Sequence, residues 1–140
     1  MNEARMNGHL ARADYNWNFQ AELQHLFPQD YFDWKISAVF YAALHLVDAY
    51  AAFADIRPFN NHEQRFYHLD SSNPDAELPL SAAAFKLYRR LYRYSINARY
   101  DEIGSIEAYE KARKNDHKDA VERFKEFRRY LKEDVGLPIG

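Results

Sequence analysis

Apolar side chains recur every three or four residues through most of this chain, the spacing of a helix face rather than of a strand. Met6, Leu10, Ala13, Trp17 and Ala21 predict a first helix over residues 2–27, stopped by Pro28. A second helix is predicted over 33–53, with Asp30 or Asp33 as its cap. It carries Ile36, Phe40, Ala43, Val47 and Tyr50 on one face, and Trp34, Ala38, Tyr41, Leu44 and Ala52 on most of the other. A helix apolar nearly all round is buried on most sides, so this one belongs at the centre. Asn61 is a good cap for a short helix over 62–69, and residues 70–79 (DSSNPDAELP) read as a mobile or tolerant loop. A fourth helix follows from 80 to 98 or 100. Ser105 can cap a last one that reaches about residue 134, where Val121, Phe124, Arg128 and Leu131 trace a stripe with Phe127 beside it. Asn115-Asp116 leaves open a break in that helix, and Gly136 and Pro138 end it in the expected order. No repeat or linker divides the chain. The expectation is a single domain over 1–140, an all-α, up-and-down bundle of four or five helices.

Composition agrees with this. There are only 4 Val and 6 Ile and no Thr, against 19 Ala and 12 Leu, so a sizeable sheet is improbable. Aromatic residues make up 16% of the chain and 47% is apolar, which excludes a disordered chain. Of these, Trp34, Phe40, Tyr50, Phe124 and Phe127 are expected to fill the bundle. With no cysteine, disulfides, thiolate metal sites and thiol catalysis drop out. The apolar stretch 36–53 is interrupted by His45 and Asp48, and the N-terminus lacks a signal-peptide pattern, so a cytoplasmic protein without a membrane span is expected. The net charge of −2 carries no global nucleic-acid signature.

Local charge changes the picture. Ser37, Tyr41, His45 and Asp48 stack on one side of the apolar second helix, with His45 and Asp48 one turn apart and able to hydrogen-bond. Between residues 78 and 100 there is no acidic residue and there are five basic ones. Lys86, Arg89, Arg90 and Arg93 form a basic surface suited to phosphates. Arg99 instead lines up with Tyr88, Tyr92 and Ser95 on the face expected to be buried. There it needs a ligand phosphate or an internal partner such as Asp48 or Asp101. His62 and Arg65 lie one turn apart at a helix start, where an anion is favoured. The six histidines include no HExxH pair, and the 4 glycines make no phosphate loop. No metal and no cofactor is expected.

In order along the chain, Asp33-Trp34, Phe40-Tyr41-Ala42-Ala43-Leu44-His45, Asp48-Ala49, Asn61-His62-Glu63-Gln64-Arg65 and Tyr88-x-x-Leu91-x-x-x-Ser95-x-x-x-Arg99-Tyr100 resemble the HEPN superfamily, the higher-eukaryote and prokaryote nucleotide-binding helical domains. Small single-domain prokaryotic members are the nearest in layout. The resemblance implies a four- or five-helix up-down bundle, commonly a homodimer, in a group that includes ribonuclease toxins and partners of minimal nucleotidyltransferases. Active members carry Arg, four to six residues, then His near the start of a late helix. No histidine follows Arg99 at that range, and the Arg57…His62 spacing falls before the short helix, on the wrong element. The leading expectation is therefore a domain that binds RNA or a nucleotide without catalysis and works with a partner protein. Arg99, His62 and Arg65 would contact the anion, and Tyr41, His45, Asp48, Tyr88, Ser95 and Tyr100 would form a supporting polar shell. Two alternatives stand beside it: a metal-independent toxin-type ribonuclease, and a structural dimerisation module.

Overall fold

Five α-helices follow one another in the computed structural model: α1 (Glu3–Leu26), α2 (Phe32–Phe53), α3 (His62–Leu69), α4 (Ala82–Tyr100) and α5 (Ile106–Arg129). The last runs directly into a π-helical turn, Tyr130–Val135. The structure describes residues 1–100 and 105–140, and Tyr100 by its backbone alone. Among the described residues there is no strand.

Each boundary has a local cause. The Asn2 side chain accepts from the Arg5 backbone N–H to start α1, Asn61 does the same for Gln64 in α3, and Ser105 for Ala108 in α5. The Ser81 hydroxyl accepts from the Ala84 N–H at the head of α4. Asp30 and Asp33 do not cap α2. Tyr31 holds that position in the left-handed conformation (φ 61°), with no side-chain cap bond. Asn115 and Asp116 do not break α5. Gly136 ends the π-helical turn at φ 85°, a conformation that suits glycine. The loop over 70–79 is anchored at its end, where Leu78 and the following Leu80 are buried and their N–H groups donate to the carbonyls of His68 and Leu69 at 3.0 and 2.9 Å.

The long helices alternate in direction. The start of α1 meets the end of α2 through the Asn2 N–H on the Ala52 carbonyl, and the Ser81 N–H at the head of α4 donates to the Tyr130 hydroxyl beyond α5. Trp17 of α1 stacks on Phe124 of α5 with ring centroids 4.8 Å apart, which closes the bundle. α2 packs against α1, α4 and α5 and is the central helix. In length and composition it could cross a membrane, but 72% of its most apolar window is buried inside the bundle. It is the core helix, and Val39, Phe40, Ala43 and Val47 are fully buried. Phe124 and Phe127 fill the core as expected, and Tyr50 is half-buried. Trp34 is 63% exposed although Phe32, Lys35 and Ile36 around it are buried, because it lies with Ser37, Tyr41 and His45 on the least covered stripe of α2.

Truncating Phe127 to Ala should cost about 3–5 kcal/mol in urea unfolding, whereas truncating the exposed Trp34 should change stability by no more than about 0.5 kcal/mol. Comparable destabilisation at both positions would contradict this core.

Candidate functional site

The short helix α3 is pinned to α2 by one buried ion pair. Arg65 Nε donates to Asp48 Oδ1 at 2.9 Å and Nη2 to Oδ2 at 2.8 Å, a bidentate fork between side chains only 10% and 11% exposed. Burial works against the Arg65 charge, and the hydrogen bonds and negative charge of Asp48 outweigh it, holding the guanidinium's pKa above its usual value. Asp48 thus takes Arg65 as its partner, and not the expected Arg99 or His45. The start of α3 is closed by its cap, where Gln64 Oε1 accepts from the Asn60 N–H at 2.9 Å while the Asn61 side chain accepts from the Gln64 N–H. Beside the pair, the hydroxyl of fully buried Tyr88 has no hydrogen-bond partner among the described residues, and burial raises its pKa.

His62 lies one turn before Arg65. Its ring packs between Phe40 (5.7 Å) and Tyr92 (5.1 Å), and its Nδ1 is buried without a hydrogen-bond partner among the described residues. Burial lowers its pKa, and the charges of Arg65 and Arg99 lower it further. Arg99 is exposed rather than buried; its Nη1 reaches the Tyr41 hydroxyl at 3.4 Å and its Nε the Ser95 carbonyl at 3.2 Å. Ser95 is buried, and its hydroxyl donates to the Tyr92 carbonyl at 2.7 Å, within its own helix. The side chain of Tyr100, and Asp101, lie outside the described residues. Of the expected residues, Asp48, Arg65, His62 and Tyr88 lie together where α3 meets α2, while His45 and Ser95 have partners elsewhere. Asp48 and Arg65 form the clamp, His62 packs beside it against Phe40 and Tyr92, Arg99 lies exposed near Tyr41, and His45 turns to another partner.

That partner is His9 of α1, which linear spacing could not suggest. The two Nδ1 atoms are 3.0 Å apart, with ring centroids at 5.3 Å. Burial lowers the pKa of both, so both rings favour the neutral form.

A groove of about 630 Å³ opens between α3 and α4. Phe66, Tyr67, Phe85 and Tyr92 give it an aromatic lining, Arg89 and Arg93 come from α4, and Glu63 and Asp70 stand on the α3 side. Tyr67 is 50% exposed there. Lys86, Arg89, Arg90 and Arg93 line a second hollow of about 330 Å³ together with Tyr94. Arg90 is partly neutralised by Asp119 at 3.3 Å. Lys86, Arg89 and Arg93 have no carboxylate within 4 Å among the described residues. Arg89 lies over the Phe85 ring at 5.6 Å.

A second polar nest sits at the far end of the bundle, and no helical spacing in the chain points to it. Buried Lys35 donates to Gln24 and to the Phe27 carbonyl, closing the end of α1, while His117 and Gln20 hydrogen-bond at 2.9 Å. Burial and then Lys35 push the His117 pKa down to about 4.

No family model, curated protein or solved structure matches the chain, so these geometries carry the functional reading.

Two measurements test the site's framework. Asp48→Leu and Arg65→Met should each cost roughly 3–5 kcal/mol, because each leaves the other charge buried and unpaired, while the double variant recovers most of that stability. Additive effects in the cycle would contradict the coupling. Because the folded chain favours neutral His117, the unfolded chain takes up the extra proton first on acidification. Stability should therefore fall as pH drops from 6.5 towards about 4. His117→Gln should flatten the melting-temperature profile in that window, and an unchanged slope would contradict the assignment.

Proposed function

We propose that this chain is a HEPN-like helical domain that binds single-stranded RNA or a nucleotide without cutting it, and that it works in the cytoplasm with a partner protein. The observation that carries the reading is the groove between α3 and α4. Aromatic faces there can stack on bases while arginines meet phosphates. The two carboxylates on the α3 side, Glu63 and Asp70, can accept from the amino groups of a base edge. The ligand's bases are thereby assigned to Phe66, Tyr67 and Tyr92, and its phosphates to Arg89 and Arg93. Lys86, beside Arg89 and Arg93 in the adjoining hollow, extends the cationic surface of α4.

The residues of the resemblance take graded parts in this reading. Arg99, exposed beside Tyr41 and outside the groove lining, is a separate phosphate contact. His62, behind Tyr92, donates to or accepts from a ligand oxygen. Arg65 positions α3 rather than touching ligand, since Asp48 occupies its fork. Tyr41 orients Arg99, and Asp48 and Tyr88 complete the support. What favours an assembly is the set of large apolar side chains left exposed on α1 and the start of α2, Tyr15, Phe19, Leu26 and Trp34 among them. A homodimer and a nucleotidyltransferase-type partner are the assemblies the resemblance implies.

The test is fluorescence anisotropy of a labelled single-stranded oligoribonucleotide, with ATP as competitor. Arg89→Ala/Arg93→Ala should weaken binding tenfold or more, and should lower the salt slope by about 0.7 for each phosphate no longer neutralised. Tyr67→Ala should cost about 1–3 kcal/mol. Competition by ATP would identify a nucleotide-sized ligand. Unchanged affinity in both variants, with helix content retained, would contradict the reading.

A further inference from the structure

Outside the groove, His9, His45 and Asp48 form a cluster whose histidines nucleotide binding does not use. Each of the three offers one ligand atom, and these atoms lie within 4.8 Å of one another. His9 comes from α1, and His45 and Asp48 from successive turns of α2, so the cluster joins two packed helices rather than one flexible segment. The Nδ1 atoms of the two rings face each other at 3.0 Å. Two bonds of about 2.0–2.1 Å to one tetrahedral metal hold nitrogen ligands about 3.3 Å apart, so the rings need part by only a few tenths of an ångström. Asp48 is already oriented: each of its oxygens accepts one Arg65 bond, and a carboxylate oxygen has a second lone pair to offer. Arg65 thus stands to Asp48 as the outer hydrogen-bond partners of metal-binding carboxylates stand to theirs.

We propose that His9 Nδ1, His45 Nδ1 and an Asp48 oxygen bind a late first-row divalent metal ion of the zinc type. The charges around the cluster select this class. Arg5, Arg12 and Arg65 all act on it, and they oppose a hard cation held by charge alone, such as magnesium or calcium. Arg65 is compensated by Asp48, and Arg5 is directed at the Ile56 carbonyl. Two neutral imidazoles bind zinc, nickel or copper through nitrogen lone pairs, which suits a site where only one ligand is anionic. Both histidines are half-buried, so the ion is reachable from solvent. Bound metal would tie α1 to α2 beside the Asp48–Arg65 clamp, and with three protein ligands it retains a position for water.

Titration calorimetry of the untagged, chelator-treated chain with Zn²⁺ tests this. The expected result is one saturable site per chain, with Mg²⁺ giving no heat. Affinity should fall tenfold or more in His9→Ala and His45→Ala and stay unchanged in His25→Ala, which alters an exposed histidine. Imidazole resonances of His9 and His45 should shift on titration ahead of those of the other four histidines. Should His45→Ala fail to fold, His9→Ala on the outer helix decides the matter alone. Undiminished Zn²⁺ binding in folded His9→Ala, or no saturable binding by the wild type below millimolar Zn²⁺, would overturn the proposal and leave a His9–His45 hydrogen bond as the whole of the interaction.

Discussion

The buried fork between Asp48 and Arg65 is the constraint on which the placement of α3, and with it the groove against α4, depends. A charge at this depth is costly unless it is paired, so each side chain fixes the other. Helix α3 has only 8 residues, too few to be stable alone. Its cap at Asn61 and its anchor at Arg65 set its position and rotation against α2. Once they are set, His62 falls against Phe40 and Tyr92, and Phe66 and Tyr67 face α4 across the groove. The pair is better understood as setting the register of α3 than as a net source of stability, since replacing both charges by apolar groups is often nearly neutral.

Aromatic packing carries that register into the rest of the bundle. Phe40 touches Tyr41, His62, Tyr88 and Tyr92, and Tyr88 in turn meets Phe127 of α5. One ring at the middle of α2 therefore links α3 and α4, and through Tyr88 it reaches α5. Tyr92 belongs to both the core and the groove, because its ring lies near Phe66 and His62 while it also lines the cavity. Many of the aromatics serve the fold, and Tyr67 and Tyr92 also line the groove between α3 and α4.

The helices are legible in the chain because their causes are local. Asn61 and Ser105 cap the helices that their positions predict, and the two-faced apolar pattern of α2 marks the central helix. The departures share a different cause. Helical spacing places Trp34 and Arg99 inside, but α2 is apolar on nearly every side, so spacing does not say which of its stripes the neighbouring helices leave uncovered. Asp48 is recognisable as a buried polar residue, yet its partner lies 17 residues away on another helix, beyond any i to i+4 rule. His9 and His45 are 36 residues apart and meet only because α1 and α2 run antiparallel. The helical-hairpin pairing of those two helices, taken one step further to align their registers, is the signal in the sequence that points to His9.

Held on α2 by the Asp48–Arg65 pair, α3 faces α4 across the groove that we propose takes a nucleotide. The most direct measurement is the map of amide chemical-shift changes when a short single-stranded oligoribonucleotide is titrated into the ¹⁵N-labelled chain. Changes are expected to concentrate at Glu63, Phe66, Tyr67, Arg89, Tyr92 and Arg93 and to fade towards α1 and the distal part of α5. Changes confined to α1 and α5, or none at saturating oligonucleotide, would contradict the proposal.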